Sequence, residues 1–262
     1  MASSLISHPV LRHTAHGITS VTDTLAVETP IALEFNGIAH AVMLATPLEL
    51  EAFALGFALT EGIIQQPGQF YGAEVVSGEQ GLTLRCDIAT SAFAALKARR
   101  RVLMGRSGCG LCGLDSLAQL SPALPTLPPA SPLAAQAILC AVAALPAHQP
   151  LMQQTGALHA AAWCAADGEI LRACEDVGRH NALDKLIGLR CRDGFADGFL
   201  LMSSRASVEL VQKAARMGIP HLVALSAPTS LAVETAQQVG MTLVGFARTG
   251  QFVLYTPAAH IV

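Results

Sequence analysis

The second half of the chain narrows the fold most, because strand-like and helix-like segments alternate there with clear punctuation. GEILRACEDV reads as a turn and a strand, NALDKLIGLRC as a helix, and GFLLMSS as a strand. ASVELVQKAARMG then reads as a helix that stops at Gly218, with Pro220 just beyond. HLVALS, the helix-like APTSLAVETAQQVG ending at Gly240, and the strands MTLVGFA and FVLYT around Arg248-Thr249-Gly250 continue the alternation. Strands separated by helices cover both faces of a sheet and imply an α/β layer fold, with ligand loops at the strand C-termini by default.

The first half reads differently. Residues 19–44 alternate in a strand-like way, and Asn36-Gly37 between apolar runs marks a hairpin. Thr46, three residues before Glu49, is expected to cap a helix over ELEAFALGFALTEGII. GLTLRCDI reads as a strand and SAFAALKARRRVLM as a helix. Residues 121–132, SPALPTLPPASP, hold five prolines in twelve positions, which neither a helix nor a central strand tolerates. The expectation is a smaller α+β domain over 1–120, a linker over 121–132 and a larger α/β domain over 133–262.

Composition enters where it excludes. The chain is 52% hydrophobic and only 13% charged, against roughly 25% charged in an ordinary soluble domain, so global disorder is excluded. No Asp, Glu, Lys or Arg lies between Asp115 and Asp167, yet prolines cut that stretch, and its longest apolar piece without one is Leu133 to Leu145, 13 residues. A membrane-spanning helix needs about 20, so a buried helix and no membrane partner are expected. Met1 to Leu11 lacks the pattern of a secretory signal, which points to the cytoplasm and reduced thiols. Sixteen basic residues against nineteen acidic ones give no footprint for nucleic acid. The Lys97 to Arg101 run reads as a solvated helix face.

Two constellations carry chemistry. Cys109 and Cys112 lie in GRSGCGLCG, where four glycines and a serine in nine residues favour a loop or a close backbone approach. Three readings stay open for this pair: zinc ligands lacking a second close pair, a redox disulfide outside its usual setting, and an activated thiolate that carries sulfur. The other five cysteines, in apolar stretches, are expected in the core. The second constellation, CEDVGRHNALDKLIG, puts Glu175, Asp176, Arg179, Asp184 and Lys185 within eleven residues. Arg179 and His180 fall at a strand-to-helix junction and could meet an anion or move a proton; the alternative is a salt-bridged helix start. Ser203, Ser204 and Arg205, in LLMSSRAS, also end a strand and open a helix, where phosphate binding and simple capping compete. SAPTS at 226–230 and FARTGQ at 246–251 are further loops of this kind. His159, in TGALHAAAW, reads as a satisfied core histidine.

Taken in order, ETPIALEFNG, CGLCG, TGALHAAA, EDVGRHNALDKLIG, SSRASVELVQKA, SAPTSLAVETA and LVGFARTGQFVLYT resemble the formate dehydrogenase accessory sulfurtransferase family, FdhD, over most of the chain. The resemblance implies an enzyme, a cytoplasmic sulfurtransferase. It would take sulfur from a cysteine desulfurase as a persulfide on Cys109, with Cys112 assisting. It would pass that sulfur to the molybdenum cofactor, in its bis(molybdopterin guanine dinucleotide) form, before insertion into formate dehydrogenase. The alternative it leaves is a non-catalytic chaperone for the same cofactor. It also implies a cytidine-deaminase-like fold for the larger domain, a homodimer, and cofactor binding by Phe246, Ala247, Arg248, Thr249, Gly250 and Gln251. Arg179, His180, Ser203, Ser204 and Arg205 are expected to line the same cavity. The deaminase zinc motif is missing, since Ala160 and Ala161 follow His159. Gln251 stands where a second basic residue is usual, and Ala157 where glycine is common.

Overall fold

The computed structural model describes residues 3–104, 124–195, 197–256 and 261–262, a mixed α/β arrangement with several sheets. Strands β1 (Leu5–Thr14) and β2 (Gly17–Ala26) form a two-stranded antiparallel ribbon. A four-stranded sheet follows, in the order β4-β3-β6-β5, from β3 (Thr29–Phe35), β4 (Ile38–Ala45), β5 (Phe70–Gly78) and β6 (Gly81–Ile88). The β3–β4 hairpin turns at Asn36 and Gly37, both with positive φ (46° and 78°), the pair of conformations that Asn-Gly adopts cheaply. Helix α1 (Leu50–Thr60) packs on this sheet, and α2 (Thr90–Met104) follows β6.

Thr46 does not cap α1. The helix starts after Glu49, and the Thr46 hydroxyl instead accepts the Val177 N–H at 3.3 Å, on the far half of the chain. Local capping loses here because Thr46 is fully buried, where its polar atoms meet partners that tertiary packing supplies.

Helices α3 (Ala135–Ala144) and α4 (Pro150–Thr155) precede the larger sheet. It consists of β7 (His159–Ala165), β8 (Ile170–Asp176), β9 (Gly198–Met202), β10 (His221–Ala224), β11 (Thr242–Arg248) and β12 (Gln251–Leu254), in the order β12-β11-β10-β9-β7-β8. Helices α5 (Arg179–Asp193), α6 (Val208–Arg216) and α7 (Ser230–Val239) alternate with these strands. Side chains alternate between its faces with period two. Ala161, Trp163, Leu200, Met202, Leu222 and Leu243 join the core under α5, α6 and α7. Ala160, Ala162, Cys164, Phe199, Leu201 and Val223 join a second core beneath α3. Thus the charge-free stretch supplies a buried helix face, and no helix among the described residues is long and apolar enough to cross a membrane.

Helices α1 and α5 meet closely enough that only glycine fits at two points. A Cβ on Gly56 would lie 1.7 Å from the Asp184 carbonyl oxygen, and one on Gly188 would lie 1.9 Å from that of Ala52. The core is continuous across this contact, from Ile31 and Phe35 of the smaller sheet to Leu183 and Leu200. Within the proline-rich stretch, Leu127 is buried in that core and donates its N–H to Val239.

Of the five cysteines expected in the core, Cys86, Cys164 and Cys174 are buried, whereas Cys191 is half-buried and Cys140 exposed. Cys140 lies on the solvent side of α3, whose buried positions are Ala137, Ile138, Ala141 and Val142. An apolar neighbourhood in sequence does not tell which side of a helix a residue takes.

Candidate functional site at one edge of the larger sheet

Strands β9, β10 and β11 run parallel, while β7 runs antiparallel to both β8 and β9. The C-terminal ends of β8, β9, β10 and β11 and the start of β7 therefore share one edge. Every strand-end loop singled out from the sequence lies along it: 176–180, 203–207, 226–230 and 246–251.

The charged motif divides there. Asp176 and Lys185 are fully enclosed as an ion pair at 2.6 Å. Asp184 pairs with Lys213 at 2.9 Å, nearly enclosed as well. Glu175 caps α4, accepting the N–H groups of Leu151 (2.9 Å) and Met152 (2.6 Å). Arg179 and His180 remain at the edge, half-buried.

They occupy the first turn of α5, whose N-cap is Gly178 with no side-chain cap and no acidic residue in the first turn. Cations at a helix N-terminus oppose the helix dipole, whose positive end favours anions. Arg179 Nε and His180 Nε2 are both shielded from solvent and without a hydrogen-bond partner among the described residues. Burial, then the charges of Arg179 and Lys213, push the His180 imidazole down to about 4, so it is neutral near pH 7. The neighbouring helices start differently. The Thr229 hydroxyl accepts the Ala232 N–H at the head of α7, and Glu209 lies in the first turn of α6. The Glu209 carboxyl is held below its usual range by the Ser207 hydroxyl and, more weakly, by His180 and Arg179. Of these three termini, that of α5 alone has neither a side-chain cap nor an acidic residue in its first turn.

His159, expected in the core, is half-buried and lines a cavity of about 400 Å³ with Gln149, Met152, Gly156, Ala157, Leu158, Ser203 and Leu225. Burial and the nearby Arg179 lower its pKa, with Asp176 opposing. Sequence alone missed this cavity, because its walls come from α4, β7 and the ends of β9 and β10. Ser203 Oγ accepts the Ala160 N–H at 2.8 Å and still faces the cavity. Ser204 is buried and donates to the Arg205 carbonyl, while Arg205 is exposed.

At the β11 end, Phe246 is a non-glycine residue with φ of 48°, in the sparsely populated left-handed region. Its N–H donates to Ser226, which ties two edge loops together. Gly245 precedes it because a Cβ there would lie 2.7 Å from Pro228. The Arg248 guanidinium lies 5.9 Å from the Phe246 ring centre, and Arg248, Thr249, Gly250 and Gln251 are exposed. Ala247 instead points into the core beneath α3. Four strand spacings of about 4.8 Å separate β8 from β11, so Arg179 and Arg248 mark points roughly 19 Å apart along the edge.

Cys109 and Cys112 lie outside the described residues. Among the described cysteines, burial pushes the thiols of Cys86 and Cys164 up to about 12 and raises those of Cys174 and Cys191. No cluster of three or more His, Cys, Asp or Glu able to hold a metal occurs among the described residues.

Comparisons with known proteins agree on one family. The model of the FdhD/NarQ family matches residues 26–262. A sulfur carrier protein FdhD from Chromobacterium violaceum is 54% identical over 257 residues, 96% of this chain and 95% of that protein. Its counterpart from Variovorax paradoxus is 53% identical over 236 residues, 89% of this chain and 85% of that protein. A crystal structure described as a putative formate dehydrogenase accessory protein from Desulfotalea psychrophila superimposes with a TM-score of 0.77. It covers 99% of this chain and 100% of that chain, and at 22% identity it speaks for the fold alone.

Proposed function

This chain belongs to the FdhD/NarQ family, and on that premise we propose that it is a sulfur carrier in the maturation of formate dehydrogenase. In this reading a cysteine desulfurase supplies the sulfur, Cys109 holds it as a persulfide, and Cys112 assists. The acceptor is the molybdenum cofactor in its bis(molybdopterin guanine dinucleotide) form, which formate dehydrogenase then receives. The working species is a cytoplasmic homodimer.

The observation that carries the acceptor side is the N-terminus of α5, which has no side-chain cap and is flanked by Arg179 Nε and His180 Nε2, both without a partner among the described residues. The enclosed Arg179 Nε–H beside a positive helix end suits a phosphate, and His180 joins it as a donor in the Nε2–H tautomer. The second cationic point at Arg248 suits a ligand long enough to carry phosphates at both ends of the edge. The donor side asks for a thiol that ionises readily. Burial works against that at Cys86, Cys164, Cys174 and Cys191; this leaves the exposed Cys140 and the CGLCG pair, and the family resemblance gives the role to the pair.

The test is intact-mass spectrometry after incubation with a cysteine desulfurase and cysteine. A reductant-sensitive gain of about 32 Da, one sulfur atom, that disappears in Cys109→Ala supports the carrier role. No gain on wild type, Cys109→Ala or Cys112→Ala sinks it and leaves the cofactor-binding chaperone as the better account.

A further inference from the structure

Arg179 and His180 open α5 directly after a strand-to-helix turn that one carboxylate grips on both sides. Asp176 Oδ1 accepts the Gly178 N–H at 2.8 Å and the Asn181 side-chain amide at 2.9 Å. Oδ2 accepts the Thr46 N–H at 3.0 Å and meets Lys185 Nζ at 2.6 Å. Lys185 Nζ also donates to the Thr46 carbonyl (2.8 Å), and the Asn181 amide to that of Leu44 (2.8 Å). Gly178 is confined as well, since a Cβ there would lie 2.7 Å from Asn181 Nδ2. Asp176 and Lys185 have no solvent exposure.

A buried ion pair meant only to hold two halves together has no need to grip the residues on both sides of Arg179-His180. This one does so; its other partner, Thr46, directly follows β4 of the smaller sheet, and Asn181 in turn donates to Leu44 at the end of that strand. From this juxtaposition we propose that Asp176, with Lys185 and Asn181, is a positioning residue. It aims the α5 N-terminus, the Arg179 guanidinium and the neutral His180 imidazole at the ligand, and it does so against a backbone anchor on the smaller sheet. The inference rests on the anion-binding reading of that terminus.

The experiment uses the full chain, with GDP as probe and the His180 ring proton followed by NMR across pH. Asp176→Asn keeps the size of the side chain but loses the charge and one acceptor. Asn181→Ala cuts the same loop without stranding a buried charge, so it serves if Asp176→Asn fails to fold. In folded protein, each variant is expected to weaken GDP binding by about tenfold, the scale of one charge-assisted hydrogen bond. The His180 pKa is expected to climb from about 4 towards its ordinary 6.5 as the ring loses its enclosure. Ile138→Ala, in the core beneath α3, is expected to lower Tm yet leave both readings at wild-type values. Wild-type values for both readings in folded Asp176→Asn and Asn181→Ala overturn the proposal and make the cluster a stability device only. If wild type does not bind GDP, the acceptor reading fails, and the His180 titration alone still decides the positioning.

Discussion

The joint between the two sheets and the edge that carries Arg179 draw on the same stretch of charged sequence and use it in opposite ways. At the joint, Lys213 Nζ meets Asp184 (2.9 Å), Glu61 (2.8 Å) and the Thr60 hydroxyl (2.8 Å), and Arg216 bonds the Thr60 carbonyl. Each enclosed charge there has its partner, and glycine lets the helices touch. At the edge, a turn or two away along α5, the Arg179 guanidinium and the neutral His180 imidazole each keep an enclosed nitrogen without a partner among the described residues. Buried polar groups normally find partners, and these two exceptions at the head of one helix are what the proposed anion site rests on. The difference teaches that a concentration of charge in a sequence is not one feature. Its members are sorted by where along the strand and helix they fall: Asp176, Asp184 and Lys185 reach enclosed partners, while Arg179 and His180 stay in the first turn at the edge.

The sharpest way to break this comparison is to fill the joint. Gly188→Leu places a side chain where even a Cβ would lie 1.9 Å from the Ala52 carbonyl oxygen, and the expected outcome is a loss of more than ~4 kcal/mol or no folded protein, checked by urea denaturation. Next in size is Lys185→Met, which strands a fully buried Asp176. It should cost about 3–5 kcal/mol in the same measurement. Edge substitutions should separate stability from binding: Arg179→Gln is expected to change stability by less than ~0.5 kcal/mol yet weaken GDP by about tenfold in calorimetric titration.

A pH series sharpens the contrast further. The folded-state pKa of His180, about 4, lies below its ordinary 6.5. The unfolded chain therefore takes up the proton first. The resulting stability is full above about 6.5 and drains away as pH falls towards 4. Urea midpoints should fall across that window, and His180→Gln should flatten this part of the slope. The smallest effect belongs to the exposed Glu51–Arg192 pair at 3.2 Å. Glu51→Gln is expected to cost no more than ~1 kcal/mol, shrinking further in salt. A larger loss would mean that the rim of the joint carries more of its strength than the enclosed clusters suggest.

Much of the fold was legible along the chain. Asn36-Gly37 specifies its hairpin because few other pairs accept two positive φ values. Gly218, Gly240 and Pro220 end helices for reasons confined to a few bonds. The edge loops were legible too, since a strand followed by a capped helix places its loop at the strand's C-terminal end. Other assignments failed where distant partners outbid local ones. Thr46 has the sequence neighbours of a helix cap but spends its hydroxyl on Val177. His159 has the neighbours of a core residue but lines a cavity built from four elements.

The sequence by itself determined the alternation of strands and helices, the stops between them, the strand-end loops and the family resemblance, because these depend on local periodicity, backbone conformation and residue identity. Only the tertiary structure decided which charges of CEDVGRHNALDK are enclosed in ion pairs and which stay at the edge of the sheet. It alone decided that α1 and α5 touch through Gly56 and Gly188, and that the end of β4 helps to hold the loop beneath Arg179. Those outcomes depend on distances between residues more than a hundred positions apart, and the partner that settles each polar group is known only once the chain has closed on itself.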